Sequence, residues 1–409
     1  MRSPLTCPFQ PGSDTVPAVW AGRVEQLSDW RDVVRPRRLA GLPERGRTIL
    51  GEAGLGKSSL VRRIAQDAAA AGDWVTPQLR IPSGADPLKA VAAAILALAE
   101  EAGLSVSREQ RIADLLGRVQ AVAASGVSLS LRRREGPEPH AALTALLVEV
   151  GRAAMARGVV VLIHIDEVQN ITDENALSQL LIALGDALAH EAAVVAPGGV
   201  SVSRSLPIAV YLTGLPDFAD MAGARKGATF ARRFKTTTLT AIEDDDLASA
   251  LQPFIIDGWE VADDAGGVGL IRMEPDAAAA VMQLCCGEPF LFQLAGEQAW
   301  YAGVGDVITR SQVLAGWKRV RPEAVTHVER ILERLPARER ELVQAMAELD
   351  PPERTLTRIA ERMGLPKATD AGPTSQRLDT VRGIIGRGKP YTFRHRAVEA
   401  YLTSQWPDV

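Results

Sequence analysis

The residues that most directly imply chemistry are Gly51-Glu52-Ala53-Gly54-Leu55-Gly56-Lys57-Ser58, followed by Ser59. They form a complete G-x-x-x-x-G-K-[ST] pattern. Glycines at these positions let the backbone wrap a phosphate with its N–H groups turned inward, and a following helix aims its positive end at the same point. Lys57 is placed to reach the β- and γ-phosphates and Ser58 to bind Mg2+. The motif falls between a strand-like RTILG and a helix-like SSLVRRIAQDAAAA, the context this loop requires. A glycine-rich turn without a nucleotide is the plainer alternative.

A second half-site needs an acid at the end of another buried strand. The run VVVLIHIDE over 159–167 supplies Asp166, suited to Mg2+, and Glu167, suited to polarising an attacking water; a solvated loop pair is the alternative. His164 lies inside that strand and reads as a core residue. Thr213 ends a further strand, PIAVYLT, where it would orient water or merely cap the next turn. Arg232 and Arg233 follow in FARRF. Either could act in trans as an arginine finger, or both could be surface charges.

Strands alternate with helical patterns over the first 240 residues, which predicts an α/β core with a parallel sheet covered on both faces. Helices are expected near 58–71, 88–102, 140–157 and 174–191. An insertion at 104–139 contains a helix near 107–123, and a Gly/Ser linker follows the last of these helices. From 243 onward helical patterns dominate: 244–256, 275–286, 289–302 and 312–335. Four parts result: an extended leader (1–19), whose prolines argue against a packed element, a P-loop core (20–240), an all-helical lid (241–335) and a small C-terminal domain (336–409).

Composition narrows the classes. Apolar residues make up 46% of the chain and charged ones 23%, with mean hydropathy near zero, as in globular proteins. No run of about 18 apolar residues exists to span a bilayer, and MRSPLTCPFQPG lacks the apolar stretch of a signal peptide. Three cysteines, two of them the neighbours Cys285 and Cys286, cannot build a disulfide framework and fit a reducing cytoplasm. That pair reads as small buried residues. The net charge of −4 argues against the whole chain being an electrostatic nucleic-acid binder.

The C-terminal domain departs from that average. Segments 337–349, 355–363 and 373–386 have helical spacing and are followed by a turn and a strand-like YTF, the outline of a winged helix-turn-helix. Between 373 and 396, Arg377, Arg382, Arg387, Lys389, Arg394 and Arg396 stand against the single acid Asp379. Arg377, Arg382, Arg387 and Lys389 are therefore candidate contacts to the phosphates of double-stranded DNA. A role facing this chain's own domains or a protein partner is the alternative.

With VWAGRVEQL, GEAGLGKSSL, LIHIDEVQN, YLTGLP, IEDDDLASAL and GEPFLFQLAGEQAW together, the chain resembles a bacterial ATP-binding protein of the archaeal-ATPase and origin-recognition-like group, where the AAA+ and STAND branches of P-loop ATPases meet. The resemblance implies that Ala21, Gly22 and Arg23 lie beside the adenine and that Pro289 packs on the base. YTFRHRAVEAYL is similar to the F-x-H element of STAND winged helices, which implies that His395 contacts nucleotide phosphates. One departure stands out: 285–300 contain no basic residue, whereas many AAA+ lids carry a γ-phosphate-sensing arginine. The resemblance thus implies a slow ATPase that uses ATP/ADP and Mg2+ as a switch. It is either DNA-associated, with ATP-dependent homo-oligomers, or a signalling or defence switch whose winged helix is a lever.

Overall fold

A computed structural model describes residues 2–13, 15–104, 139–195, 199–218, 232–262 and 267–408. The expected insertion helix near 107–123 lies outside them. After consecutive helical turns over Val24–Ser28, Asp29–Val34 and Arg35–Leu39, the elements run β1 (Gly46–Leu50), α1 (Lys57–Ala70), β2 (Trp74–Val75), β3 (Leu79–Arg80), α2 (Pro87–Glu101), α3 (Pro139–Arg157), β4 (Val161–Asp166), α4 (Glu174–Ala189), β5 (Glu191–Val195), β6 (Ser201–Ser205), β7 (Ile208–Gly214) and β8 (Phe234–Thr238). Then follow α5 (Asp244–Ile256), β9 (Trp259–Ala262), β10 (Val268–Met273), α6 (Pro275–Cys285), α7 (Pro289–Tyr301), β11 (Val307–Ile308) and α8 (Arg310–Glu333). The last are α9 (Ala337–Ala347), α10 (Leu356–Arg362), α11 (Gly372–Thr380), β12 (Ile385–Gly386), β13 (Thr392–Phe393) and α12 (Arg396–Thr403). Among the described residues no helix is long and apolar enough to cross a membrane.

The chain divides into two compact units. The sheet unit comprises Val24–Leu50 and Leu60–Thr237; the C-terminal unit comprises Met1–Arg23, Gly51–Ser59 and Thr238–Val409.

The sheet unit is an α/β layer structure. Its strands follow the order β2-β4-β7-β1-β8, with β3 also on β4. The β1–β7, β7–β4, β4–β2 and β4–β3 pairs are all parallel. Strands β1, β4 and β7 are buried along their whole length, so both faces are covered, and their apolar runs show no alternation for that reason. Helices α2, α3 and α4 supply Val91, Ile95, Leu143, Leu146, Leu180 and Leu184 to the core. Asp86 and Asp173 start two of these helices. Their carboxylates accept the otherwise unpaired N–H groups of the first turn, Leu88 and Lys89 in α2, Asn175 and Ala176 in α4. Within the stretch expected as a Gly/Ser linker, β5 and β6 pair antiparallel, with Val194 facing Val202.

The C-terminal unit is built mainly of helices, but it is not all-helical across 241–335. Strands β9 and β10 pair antiparallel, and β11 joins β10 in parallel. Their alternation, with Val261, Ile271 and Met273 inward, spans only four and six residues, too short to stand out beside the helical runs. One apolar core, including Trp300, Trp317, Val343, Ile385 and Val398, runs through the unit.

The leader also departs from expectation, because it is packed. Phe9 is buried, stacked on Phe254 at 5.7 Å and set edge-on to Phe292 at 6.0 Å. Its backbone needs are met by side chains in place of a strand ladder. Gln293 accepts from the Gln10 N–H and donates to the Val19 carbonyl, while the Arg2 guanidinium donates to the carbonyls of Ala299, Gly305 and Val307. Prolines specify an extended path here without making it loose. The third C-terminal helix is shorter than the spacing suggests and ends at Thr380, where Gly383 (φ +69°) turns the chain into the β12–β13 hairpin.

Candidate functional site

In the sheet unit β1, β7 and β4 end side by side. Ile49 is in register with Thr213, and Leu212 with Ile165, so the three carboxyl ends open on one edge. In open α/β sheets that edge is where ligands bind. Asp166, at the tip of β4, is fully buried. Its carboxylate accepts from the Thr213 hydroxyl, from Gln78 Nε2 at 2.5 Å and from Arg80 Nε at 3.2 Å. The Thr213 hydroxyl thus fixes the acid at the tip of β4.

His164 Nε2 lies 3.3 Å from Thr213 Oγ1. Burial pulls its pKa down to about 4 against the opposing charge of Asp166, so the ring is neutral and structural, as its place in the strand suggests.

Glu167 adopts a left-handed backbone (φ +55°), uncommon outside glycine and a mark of a constrained position. Gln169 holds it. The amide of Gln169 donates to the Glu167 carboxylate, and its oxygen accepts the Leu215 N–H at 3.0 Å. This tether between the two strand ends has no signature in residue spacing. Arg233 is ion-paired with Asp186, while Arg232 is exposed.

The P-loop belongs to the C-terminal unit. Gly54 (φ +86°) and Gly56 (φ +77°) take conformations that favour glycine. The Lys57 ammonium donates to the carbonyls of Gly51 at 2.9 Å and Glu52 at 3.0 Å. The turn before α7 lies against this loop. The Phe290 N–H donates to the Gly54 carbonyl at 3.1 Å, and a side chain added at Gly56 would meet the Pro289 ring at 3.5 Å. Arg23, itself left-handed (φ +64°), clamps the far side, donating to the carbonyls of Leu55 at 3.0 Å and Thr240 at 2.9 Å. Burial lowers its pKa to about 10, opposed by Asp246. Gly22 leaves room for that aspartate, since a Cβ there would lie 2.8 Å from its carboxylate. Gly22, Arg23, the P-loop and Pro289 are thus gathered in one place.

Two buried acids organise the rest. Glu288, fully buried before α7, lies between two imidazoles: His327 Nε2 at 2.6 Å and His395 Nδ1 at 3.0 Å. Burial alone would raise the Glu288 carboxyl, but the charge of His395 and the His327 hydrogen bond hold it down at about 2. Burial would lower His395; the charge and hydrogen bond of Glu288, with smaller pulls that include Glu52, together outweigh it and raise the imidazole above its usual value. Glu52, on the P-loop, accepts from Arg334 Nη2 at 2.8 Å and has Arg382 Nη1 at 3.9 Å.

Arg382 therefore does not stand where a DNA phosphate could reach it. It is 4% exposed and paired with Glu339 at 2.9 Å, which also takes Arg377 at 2.9 Å. Arg387 and Arg394 both lie on Asp379, at 3.6 Å and 2.8 Å, and Arg396 lies on Asp244 at 2.6 Å. The local charge excess is a property of the sequence; folding pairs Arg377, Arg382 and Arg396 with acids from elsewhere, while Arg387 and Arg394 share the local Asp379. Lys389 is exposed. His327, Arg334 and Glu339 carry no motif, and only the fold brings them to the loop.

No protein-family model matches this chain, and no curated protein matches it either. Solved structures do. The Walker-type ATPase PABY2304 of Pyrococcus abyssi is 14% identical, with a TM-score of 0.52, over 92% of this chain and 95% of that one. The Aeropyrum pernix ORC2 protein, solved in ADPNP–ADP complexes, is 16% identical, with a TM-score of 0.51, over 94% and 93%. The RuvB Holliday junction branch migration motor of Thermotoga maritima is a weaker likeness, 13% identical with a TM-score of 0.39 over 95% and 96%. The first two likenesses, with the parallel sheet, show an α/β fold of P-loop ATPase-like architecture.

Proposed function

We propose that the chain binds MgATP through its P-loop, hydrolyses it slowly, and works as a nucleotide-controlled switch whose segment 336–409, a winged-helix-like bundle, serves as a lever. The observation that carries this reading is the clustering of Glu52, His395, Arg382 and Glu288 within one compact unit, which ties the loop to the lid turn and to the C-terminal bundle. The Aeropyrum protein's ADPNP and ADP complexes support a nucleotide at this loop.

Lys57 would meet the phosphates, and the left-handed glycines leave backbone N–H groups to cradle them. Mg2+ prefers hard oxygen donors, and both the Ser58 hydroxyl and the Asp166 carboxylate supply them. Bound Mg2+ would neutralise phosphate charge, and Glu167 is the residue assigned to orient water. A switch needs different contacts in its ATP and ADP states. His395 and Glu52 are the residues whose contacts a phosphate would change.

Association with DNA is the second reading, and exposed Lys389, with Arg387 and Arg394, favours it. Gel-shift and anisotropy titrations with duplex DNA, in ATP and in ADP over a salt series, separate the two. Binding that weakens steeply with salt supports DNA association. No binding in either nucleotide leaves the lever. Arg232, being exposed, is the better candidate for a finger acting on a neighbouring copy. ATP turnover that rises with protein concentration and falls in Arg232→Ala would support it.

A further inference from the structure

Glu52 is 1% exposed, although a carboxylate removed from water is costly unless cations surround it. One carboxylate oxygen accepts Arg334 Nη2 at 2.8 Å. The other makes no hydrogen bond among the described residues and has Arg382 Nη1 at 3.9 Å. The backbone carbonyl of the same residue accepts the Lys57 ammonium at 3.0 Å. A single loop residue thus engages three cations.

We propose that Glu52 is an internal competitor for the terminal phosphate of a nucleoside triphosphate, holding Arg334 and Arg382 until that phosphate takes them over. The inference rests on the nucleotide reading of the P-loop. A triphosphate seated on the Gly54 and Gly56 backbone brings several negative charges to the same cations. It meets Lys57 first, which loosens the hold on the Glu52 backbone. A diphosphate lacks the outermost charge and leaves the arginines on the carboxylate.

Geometry supports a controlled exchange. Arg334 closes the last turn of α8, and Arg382 follows α11, so a change of partner acts on the ends of two helices. Arg382 keeps a second anchor in Glu339 at 2.9 Å, which spares it from becoming an unpaired buried charge during the exchange. The lid segment 285–300 holds no basic residue, so these two arginines provide a phosphate-sensing charge from outside it. They act as specificity residues for triphosphate over diphosphate.

The test is titration of the full chain with fluorescent ATP and ADP analogues in Mg2+, for the wild type, Glu52→Gln, Arg334→Ala and Arg334→Lys. Losing one charge-assisted hydrogen bond changes affinity by about tenfold. Glu52→Gln is expected to tighten the triphosphate about tenfold, and Arg334→Ala to weaken it by a similar factor, with Arg334→Lys partly restoring it. The diphosphate should move less than about twofold in every case. Wild-type binding with variants that shift both nucleotides equally, or neither, overturns the inference alone. Wild type that binds neither nucleotide overturns the P-loop reading with it. Should Glu52→Gln fail to fold, the Arg334 pair decides by the same criterion, because that side chain is one-third exposed and Glu52 keeps Arg382 beside it when Arg334 is removed.

Discussion

Replacing Glu288 by Gln probes the acid held between His327 and His395. Glu288 stays ionised although fully buried, and His395 keeps its proton above the ordinary imidazole range because of it. A group whose folded-state pKa is raised stabilises the fold fully below its unfolded value, here 6.5. That contribution fades as pH climbs through the raised value. In that window the folded chain carries one extra proton, so stability falls by up to about 1.4 kcal/mol per pH unit. The carboxylate works in the other direction: its contribution is complete above 4.5 and lost as pH drops toward about 2. Glutamine keeps the shape and removes both effects. At neutral pH the variant should lose about 2–4 kcal/mol, the range for one member of a buried, hydrogen-bonded pair. For a unit of roughly 150–250 residues that lowers the melting midpoint by roughly 5–15 °C. Thermal melts of the full chain from about pH 5 to about pH 9 would measure it, the range across which a raised imidazole titrates. A variant melting within about 1 °C of wild type, with the alkaline slope intact, would refute the assigned charge state.

Other perturbations address separate links. Lys57→Ala should abolish nucleotide binding in equilibrium dialysis, while Glu167→Gln should bind ATP without turning it over; normal turnover would remove Glu167 from its role. Thr213→Val deletes the hydroxyl that donates to Asp166, and should cost about 1–3 kcal/mol in chemical denaturation as well as slowing any Mg2+-dependent turnover. Phe9→Ala should cost about 3–5 kcal/mol by opening a cavity beside Phe254 and Phe292, and a near-neutral result would show that the leader is not part of the core. Gly54→Ala combines a left-handed backbone with overlap onto the His327 ring, so it should lower the melting midpoint and disturb the His327–Glu288 bond together.

How much of this was legible in the sequence follows from what each residue's role depends on. Gly54, Gly56 and Lys57 are readable because a phosphate cradle demands particular backbone conformations at fixed spacing, and Asp166 because the strand before it is buried on both faces. Phe9 was hidden by its setting: it lies outside the short helical turn Pro4–Thr6, and the lone aromatic packs without periodicity. The pairing of Glu52 with Arg334 spans 282 positions, and no local pattern encodes a partner at that distance. The count of basic residues near the end misled for a related reason. It treats every arginine as solvated, whereas Arg382 is enclosed and Arg387 and Arg394 share Asp379.

Composition changes at Pro336, and a fragment ending there would look like a natural ATPase module. It would not be self-sufficient. Glu288 would lose His395, Glu52 would lose Arg382, and the apolar core shared by Trp317 and Val343 would be opened. Exchanging the C-terminal bundle for that of a similar protein would fail on the same ground unless the arginine and histidine came with it. Inheritance of this bundle is therefore tied to inheritance of the loop: Glu52 and Glu288 each draw one partner from before Pro336 and one from after it.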